Sequence, residues 1–587
     1  MNDECVPHLI HHSSFIPHHF NLSMNNELYE HLAFLYGSER SANLYPRLEN
    51  IISQFRSGYP QFAKAREARV SEQDAILITY GDMVQDGATP LHTLAEFLQA
   101  HLVGLVSGVH FLPFFPYTSD DGFSVVDYWA IDSNLGNWDD VAQTGRHFRL
   151  MFDAVINHIS AHSAWFQGFL HGNTTYQDYF IAIEPDADLS QVFRPRALPL
   201  LTEVETTMGN KHVWTTFSAD QIDLNFANPD VLLKIIELLL FYVTQGAEFI
   251  RLDAIGFMWK EIGTTCLHLP QAHRAIQLMR SVLNLTAPRV ALITETNVPH
   301  AENVSYFGNG RNEAQLVYNF SLPPLTLHAF HTGNAETLSR WAETLTLPSN
   351  EVTFFNFLAS HDGIGLTPAR GILDETAVAN IVQRVQQLGG HVSFKNNPDG
   401  SQSAYELNIN YLDALCDPDK EEPIELIARR FLASQAIMLA LRGVPGIYFH
   451  SLFGSRSWPE GVQESGRFRT INRQKLQRDP LEQELANPHT LRHHVFNGYA
   501  RLLRQRTAHP AFHPNGGQEV LALHPALFAL RRTSVDGTAV LLCLHNVSSE
   551  TVSAVLPHGR YTDLLAGGEY EGEVGVRPYQ VLWLQKE

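Results

Sequence analysis

The sequence predicts an α/β fold: a (β/α)8 barrel with an inserted domain, a second excursion after strand seven and a C-terminal antiparallel β domain. Over most of the 587 residues, short apolar runs alternate with segments of helical period, which is the pattern of parallel βα units. Several of these runs stop abruptly at Asp, Glu, His or Arg, as buried strands do when their ends line one pocket. From about His509 the pattern changes to short alternating strands, which indicates an antiparallel sheet.

Eight apolar runs qualify as barrel strands, and two helices precede them. Apolar positions at helical spacing predict one helix around 27–35 and a second that begins near Pro46. The barrel strands are predicted at 74–82, 107–114, 150–156, 248–253, a run ending at Glu295, 315–320, 353–358 and 444–449.

The alternation of strand and helix is interrupted twice. Residues 159–228 contain aromatics and an Arg-Pro-Arg run but no long apolar stretch, and residues 363–424 contain a Lys-Asn-Asn-Pro-Asp-Gly turn cluster. Long insertions in compact domains are usually functional. The predicted organisation is 1–72 N-terminal arm and helices, 73–158 first part of the barrel, 159–228 inserted domain B, 229–362 second part of the barrel, 363–424 loop excursion, 425–508 end of the barrel and 509–587 C-terminal β domain.

Composition is that of an ordinary globular protein, with 44% hydrophobic and 18% charged residues. No window approaches ~18 uninterrupted apolar residues, so we expect no transmembrane span. The acidic N-terminus lacks a basic region followed by an apolar one, so we expect no secretory signal. Four scattered cysteines without CxxC spacing favour reduced thiols in a cytoplasmic protein; they are Cys5, Cys266, Cys416 and Cys543.

A formal net charge of −21 argues against nucleic acid and anionic membranes as partners. The same charge would repel an anionic substrate, so local arginines would have to reverse the sign inside a pocket. Five histidines near the N-terminus suggest either a metal site or, as we favour, an adventitiously His-rich arm. They are His8, His11, His12, His18 and His19.

Four segments end in polar residues in a fixed order. They are Asp153–His158, Phe249–Asp253, Ala291–Glu295 and Asn356–Asp362. Taken singly, a strand-end Asp is more often a helix cap or ion-pair partner, and a lone His is more often a core residue. The joint pattern favours a shared site instead.

These four segments resemble the signature regions of the α-amylase superfamily (glycoside hydrolase family 13), whose members are retaining, α-specific TIM barrels. Residues 112–123 and 469–473 further resemble the sucrose-phosphorylase subfamily. Residues 192–201 and the helical lead-in are most similar to the glucosylglycerate phosphorylases within it. The resemblance covers roughly residues 70–587.

The resemblance implies a role for each matching residue in a glucoside site. Asp253 would be the nucleophile, Glu295 the general acid/base and Asp362 the stabiliser of the oxocarbenium-like transition state. His158 and His361 would bind glucose hydroxyls, Asp120 the far hydroxyls, Phe123 and Phe217 would form an apolar platform, and Gln221 would border the pocket.

Residue spacing gives an independent expectation for the two main carboxyl groups. Retaining transfer needs a nucleophile and an acid/base about 5–5.5 Å apart, and Asp253 and Glu295 close strands that would be neighbours. Arg251 lies two residues before Asp253 and therefore on the same strand face. We expect Arg251 to keep Asp253 ionised and lower its pKa, whereas Glu295 must start protonated.

Anion binding would distinguish a phosphorylase from a hydrolase. Arg473 matches a phosphate-binding position of sucrose phosphorylases, and Tyr405 and Glu406 match a mobile-loop segment in which Glu406 replaces a glutamine. That replacement puts sucrose itself in doubt. For a carboxylate-bearing acceptor such as glycerate, candidate cations are Arg194, Arg196 and Arg456.

The resemblance therefore implies reversible phosphorolysis of 2-O-α-glucosylglycerate to α-glucose 1-phosphate and glycerate by double displacement. Sucrose, sucrose 6-phosphate and glucosylglycerol phosphorylases stay open as alternatives, as does an α-glucoside hydrolase. Asp153 and Asn157 match positions near the calcium site of amylases, but phosphorylases of this type lack that ion. We expect no metal and no cofactor, small-molecule glucoside and phosphate as partners, and either a monomer or a homodimer.

Overall fold

A computed structural model describes residues 17–64, 69–196, 198–396 and 401–587. Eight parallel strands close into a barrel in which each strand pairs with its neighbours in sequence and the last pairs with the first. The predicted (β/α)8 barrel is thereby confirmed. The strands are β1 Ile76–Thr79, β2 Gly108–Phe111, β3 Arg149–Ala154, β4 Ala247–Leu252, β5 Ala291–Thr294, β6 Leu316–Tyr318, β7 Thr353–Asn356 and β8 Val444–Tyr448.

The barrel strands are short and almost wholly buried, because helices cover their outer faces. Polar residues follow where the strands end, so they collect at the carboxyl end of the barrel. The helices are α1 Pro17–Tyr36, α2 Ser38–Gly58, α3 Pro90–Leu102, α4 Trp138–Gly145, α5 Ala164–Leu170, α6 Pro229–Thr244, α7 Pro270–Thr286, α8 His300–Asn303, α9 Leu322–Thr332, α10 Glu336–Glu343, α11 Glu375–Gln387, α12 Tyr411–Leu415, α13 Ile424–Ala440, α14 Phe449–Leu452, α15 Pro459–Ser465, α16 Arg478–Ala486 and α17 Leu491–Ala508.

The expectation that the second helix begins near Pro46 is wrong, since α2 begins at Ser38 and contains Pro46 in its interior. Proline lacks the N–H that would bond to the preceding turn, so it is usually excluded from such positions. Packing of α2 against α1, α6 and α7 holds the helix through the proline. Cys5, His8, His11 and His12 lie outside the described residues, and so do the side chains of His18 and His19.

Two groups of short strands surround the carboxyl end of the barrel. Strands His158–Ser160 and Gln221–Asp223 pair at the base of the first insertion, which also carries a three-stranded sheet of Ala182–Ile183, Leu201–Thr206 and Gly209–Trp214. In the second excursion, Ile364–Gly365 pairs with a hairpin of His391–Asn396 and Gln402–Asn408.

The C-terminal part forms a six-stranded antiparallel sheet. Its strands are Gly517–Val520, Leu527–Thr533, Val540–Asn546, Val552–Asp563, Glu569–Val576 and Val581–Lys586.

Buried Arg506, in α17, donates to the carbonyls of Glu72, Asp74 and Gly443, and so joins the segments that enter β1 and β8. No helix in the described part of the chain is long and apolar enough to cross a membrane.

Candidate active site

A small chamber lies at the carboxyl end of the barrel and opens into a wider vestibule. The chamber measures about 80 Å³ and the vestibule about 540 Å³, and Asp120, Arg196, Gln221, Tyr405 and Arg469 line both. The sequence-predicted residues that line the chamber are Asp253, Glu295, Asp362, Asp120, Phe123, His158, Phe217, Gln221, His361, Tyr405 and Arg196. Glu406 and Arg473 line the vestibule.

Asp253 and Glu295 directly follow the adjacent strands β4 and β5, whose register pairs Leu252 with Thr294. One guanidinium serves both carboxyl groups. Arg251 Nη1 lies 2.8 Å from Asp253 Oδ1, and its Nη2 lies 3.8 Å from Glu295 Oε2. Arg251 is buried beneath the chamber and is anchored by an ion pair to buried Asp153. Asp253 and Glu295 therefore both line the chamber, and Arg251 lies within 4 Å of each. The separation of about 5–5.5 Å between them stays a prediction.

The pKa values differ from the sequence expectation at Asp253. Burial raises the pKa of the Asp253 carboxyl above its ordinary value, although Arg251 opposes the rise. The predicted lowering of the Asp253 pKa is therefore wrong, because desolvation outweighs the guanidinium. Burial also raises the pKa of Glu295 to about 7, against the opposing effect of Arg251. Glu295 is thus substantially protonated at neutral pH, as a general acid requires.

Ala254 holds a backbone conformation that non-glycine residues rarely adopt. Its φ is 47°, in the left-handed region. In this conformation its N–H donates to Glu295 Oε2 over 3.0 Å. Strain of this kind concentrates at functional sites, where surrounding structure enforces it. Here it directs a backbone donor at the Glu295 carboxyl group.

Asp362 lies in the loop after β7 and is held by two arginines. Arg469 Nη1 lies 2.6 Å from Asp362 Oδ1, and Arg473 Nη2 lies 3.7 Å from it. Burial alone would raise the pKa of Asp362, but the charges of Arg469 and Arg473 together hold it well below its usual range. His361 is itself neutral, since burial lowers its pKa to about 3. Asp362 is therefore a fixed negative charge at the chamber wall.

The loop after β2 reaches the chamber through an unusual backbone run. Asp120 and Asp121 have φ values of 54° and 49°, and Gly122 follows at 106°. A Cβ on Gly122 would lie 2.6 Å from the Pro113 carbonyl oxygen, so only glycine fits there. The run presents Asp121 to Arg473 as an ion pair and Asp120 to the chamber.

Asp120 is also contacted from the inserted domain. Arg196 Nη2 lies 3.3 Å from Asp120 Oδ2, and the Arg196 guanidinium lies 5.6 Å from the centroid of the Phe217 ring. Burial alone would raise the pKa of Asp120, but Arg196, Arg469 and Arg473 hold it below its usual range. Arg196 thus bridges the insertion and the barrel mouth.

Aromatic and imidazole rings line the remaining chamber wall. Phe123 stacks on His361 with centroids 4.7 Å apart, and His158 lies 5.3 Å from Phe217. His158 Nε2 is 2.8 Å from the Phe123 carbonyl oxygen, and burial lowers the His158 pKa. Gln221 Nε2 donates to the same carbonyl over 3.0 Å. These rings and the Gln221 amide therefore form an uncharged part of the chamber wall.

Glu406 is paired with Arg469, a residue that sequence reasoning did not select. Arg469 donates to both Glu406 oxygens, from Nε over 3.0 Å and from Nη2 over 2.6 Å. The glutamate that replaces the glutamine of sucrose phosphorylases therefore has a cationic partner in this fold. The available signal was the spacing of Arg469 and Arg473, four residues apart in one motif.

Two predicted acceptor arginines are not brought to the cavity. Arg456 pairs with Asp413 over 2.6 Å, and Arg194 donates to the carbonyl of Leu198. Among the residues described as lining the chamber and vestibule, neither appears. The expectation that they face the acceptor is therefore wrong, since both guanidiniums are engaged elsewhere in the fold.

Several buried polar atoms around the chamber lack a hydrogen-bond partner within the described protein. They include Asn297 Oδ1, His361 Nδ1, Arg473 Nη2 and Tyr80 Oη. Asn297 lines the chamber and was not predicted from the sequence, because it follows β5 in an otherwise unremarkable loop.

Lys260 places an internal cation beside the residues that resemble an amylase calcium site. Its Nζ lies 2.5 Å from Asp223 Oδ2 and 2.8 Å from Asn157 Oδ1, and its side chain is 3% exposed. Asp153 is instead committed to Arg251 and His110. No cluster of three or more potential His, Cys, Asp or Glu metal ligands occurs among the described residues.

Comparison with known proteins agrees with this geometry. Residues 101–366 match the α-amylase catalytic domain model. Proteins named glucosylglycerate phosphorylase, from Allomeiothermus silvanus and Escherichia coli, are 51% and 44% identical; each alignment covers 96% of this chain and 98% or 100% of the relative. The crystal structure of sucrose 6F-phosphate phosphorylase from Thermoanaerobacter thermosaccharolyticum has a TM-score of 0.71 at 24% identity and covers 88% of this chain and 99% of its own, which indicates a shared fold. The chain belongs to the α-amylase family, glycoside hydrolase family 13, together with these glucosylglycerate phosphorylases.

Proposed function

We propose that this protein is a retaining glucoside phosphorylase that converts 2-O-α-glucosylglycerate and inorganic phosphate into α-glucose 1-phosphate and glycerate. One observation of the site carries the reaction type: Asp253 and Glu295, on adjacent strands, share one guanidinium at the base of a cavity with an arginine-rich mouth. The near-full-length relatives named glucosylglycerate phosphorylase support the choice of substrate.

The first step cleaves the glucosidic bond. Glu295, protonated because its pKa is raised to about 7, transfers its proton to the glycerate oxygen as the C1–O bond breaks. An Asp253 oxygen forms the new bond to C1 from the opposite face and gives a β-glucosyl-enzyme. Positive charge that develops on the sugar ring faces the fixed carboxylate of Asp362.

The second step uses phosphate as the nucleophile. Glu295, now a carboxylate, accepts the phosphate proton while a phosphate oxygen bonds to C1 and the C1–Asp253 bond breaks. Two inversions at C1 retain the α configuration. Glu295 ends protonated, ready for the next donor molecule.

The vestibule explains how an anion reaches a protein of net charge −21. Arg196, Arg467, Arg469 and Arg473 line it. Guanidinium groups bind carboxylate and phosphate oxygens through paired donors. Four arginines are thus gathered at the mouth of a protein whose net charge is negative, which favours phosphate as the attacking group.

We further propose that the enzyme uses no metal and acts in the cytoplasm. The Lys260 ammonium supplies the positive charge between Asn157 and Asp223. Cys266, Cys416 and Cys543 are buried free thiols, as is usual in a reducing compartment. Incubation with EDTA should leave the rate unchanged; a loss that calcium restores would contradict the proposal.

The deciding experiment is release of α-glucose 1-phosphate from glucosylglycerate with and without phosphate, alongside sucrose, sucrose 6-phosphate and glucosylglycerol. We expect phosphate-dependent glucose 1-phosphate with glucosylglycerate as the preferred donor. Free glucose formed at the same rate without phosphate would instead show the hydrolase. A preference for another donor would replace the acceptor and keep the reaction type.

A further inference from the structure

The carboxylate of Asp220, at the base of the inserted domain, is contacted by hydroxyl groups from two other segments of the chain. Three of them belong to the loop after β2 and contact Asp220 Oδ2: Thr118 Oγ1 at 2.6 Å, Ser124 Oγ at 2.8 Å, and Ser119 Oγ. The fourth, Ser160 Oγ, lies 3.3 Å from Asp220 Oδ1. Burial alone would raise the pKa of Asp220, but these hydroxyl hydrogen bonds hold it below its ordinary value. An ionised carboxylate only accepts hydrogen bonds, so it can orient several hydroxyl donors at once.

The three hydroxyl groups of the β2 loop lie on both sides of the backbone run that reaches the chamber. Thr118 and Ser119 directly precede Asp120, and Ser124 closes the other end of the run. The Thr118 N–H donates to the Ser124 carbonyl over 3.1 Å and joins the two ends. The positive φ values of Asp120 and of the residue after it belong to a conformation that persists only where the surroundings enforce it. One carboxylate therefore holds the chain before and after this run.

Gln221, the residue after Asp220, contacts the middle of the same loop. Its Nε2 donates to the Phe123 carbonyl over 3.0 Å and lies 3.4 Å from Asp120 Oδ2. The strand that begins at Gln221 pairs with His158–Ser160. Residues 220 and 221 together therefore contact both ends and the middle of the β2 loop.

We propose that Asp220 is a positioning residue that holds Asp120 at the chamber in the geometry needed to bind the glucosyl group. The inference rests on the proposed function, in which Asp120 contacts the far hydroxyls of that group. Among the described lining residues, Asp220 belongs to the vestibule and not to the chamber, so it acts through the loop. Arg196 contacts the Asp120 side chain, whereas Asp220 fixes the backbone that carries it.

The test is a double-mutant cycle between Asp220 and Asp120, measured as kcat/KM for fluoride release from α-glucosyl fluoride in the presence of phosphate. This donor reports on the glucosyl subsite whatever the natural acceptor is. We expect Asp220→Ala to lower kcat/KM about 10- to 100-fold, because a displacement of about 1 Å at a binding group has an effect of this size. In the Asp120→Ala background the same change should cost less than about threefold, since the group that it positions is already absent.

Two further variants separate positioning from a general loss of stability. Asp220→Asn keeps one acceptor oxygen, and we expect it to recover at least about threefold of the kcat/KM lost in Asp220→Ala. Asp536→Ala is the matched control, because Asp536 also accepts hydroxyl hydrogen bonds, from Ser534 and Thr538, in a turn of the C-terminal sheet. Its kcat/KM should equal that of the wild type.

Ser119→Ala decides the matter if Asp220→Ala does not fold, since it removes a single hydroxyl from the Asp220 carboxylate. We expect a loss of about three- to tenfold in kcat/KM that disappears in the Asp120→Ala background. Losses that multiply in the double variants, or variants at residues 220 and 119 as active as the wild type, would overturn the inference. A wild type that releases fluoride but forms no glucose 1-phosphate from glucosylglycerate would refute the proposed function instead, and the cycle would still decide the role of Asp220.

Discussion

Asp253 and Glu295 are both buried carboxyl groups, but their hydrogen-bond donors differ in charge. Asp253 accepts a hydrogen bond from the Arg251 guanidinium over 2.8 Å, whereas the nearest donor to Glu295 is a backbone N–H at 3.0 Å. Burial raises both pKa values and Arg251 opposes both rises, but Arg251 lies closer to Asp253 and so favours the ionisation of Asp253 more than that of Glu295. The unequal distances from one guanidinium fit the proposed roles of Asp253 as nucleophile and Glu295 as acid.

Substitution of the two carboxyl groups should separate their roles. We expect Glu295→Gln to lower kcat on glucosylglycerate by about 10³-fold or more, since a general acid is lost. With α-glucosyl fluoride, whose leaving group needs no proton, Glu295→Gln should still release fluoride, whereas Asp253→Asn should not. Fluoride release measured with an electrode checks this; equal loss in both variants would contradict the assignment.

The raised pKa of Glu295 predicts a pH limb. Glu295 must be protonated to cleave the donor, so kcat/KM for glucosylglycerate should fall as the pH rises through about 7. Donor kcat/KM is the correct quantity because phosphate itself titrates near neutral pH and enters only after the first step. The limb should disappear from kcat/KM for α-glucosyl fluoride. A flat donor profile from pH 6 to 8 would argue against Glu295 as the acid.

Some site residues follow from the sequence and others do not, for a physical reason. Asp253 and Glu295 close apolar runs, and strand period and barrel topology place such residues at one end of the molecule. The Arg469–Glu406 pair joins two separate segments, and nothing local encodes which acid an arginine will reach. For the same reason, the engagement of Arg456 with Asp413 was not predicted.

The sequence pattern predicted the barrel strands more accurately than the helix boundaries around them. Each barrel strand lies within or beside its predicted run, because a buried parallel strand is continuously apolar. The start of α2 was misplaced because packing against α6 and α7 overrides the local effect of Pro46. Tertiary contacts decide where an element ends when its sequence signals conflict.

The pairing of Ile364–Gly365 with the Glu406 strand depends on a glycine. We expect Gly363→Ala to lower stability by about 1–3 kcal/mol and to reduce activity, because its Cβ would collide with the Leu407 carbonyl oxygen at 2.5 Å. Gly58→Ala is the control, since a Cβ there meets nothing within 4 Å. Chemical denaturation and steady-state rates check the pair. A fully active and equally stable Gly363→Ala would show that the strand pairing is not needed.

A buried cation, Lys260, joins the inserted domain to the barrel. Lys260 contacts Asp223 at the base of the insertion and Asn157 after β3. Lys260→Met would leave Asp223 buried without its cation, and we expect a loss of about 3–5 kcal/mol in the free energy of unfolding. Lys234→Met, which removes an exposed ion pair with Glu237, should cost about 0–1 kcal/mol. Equal, small losses in both variants would contradict a structural role for Lys260.

The hydrogen bonds of Arg506 join segments of the chain that are synthesised far apart in time. The arginine bonds to a carbonyl 434 residues earlier, at Glu72, and β1 finds its second neighbour only in β8. During synthesis, β1 therefore has one unpaired edge until most of the chain, including β8, has left the ribosome. Open strand edges pair readily with other chains. We therefore expect the yield of folded protein to depend strongly on translation rate and chaperone supply, although the folded barrel itself is closed and has no open edge.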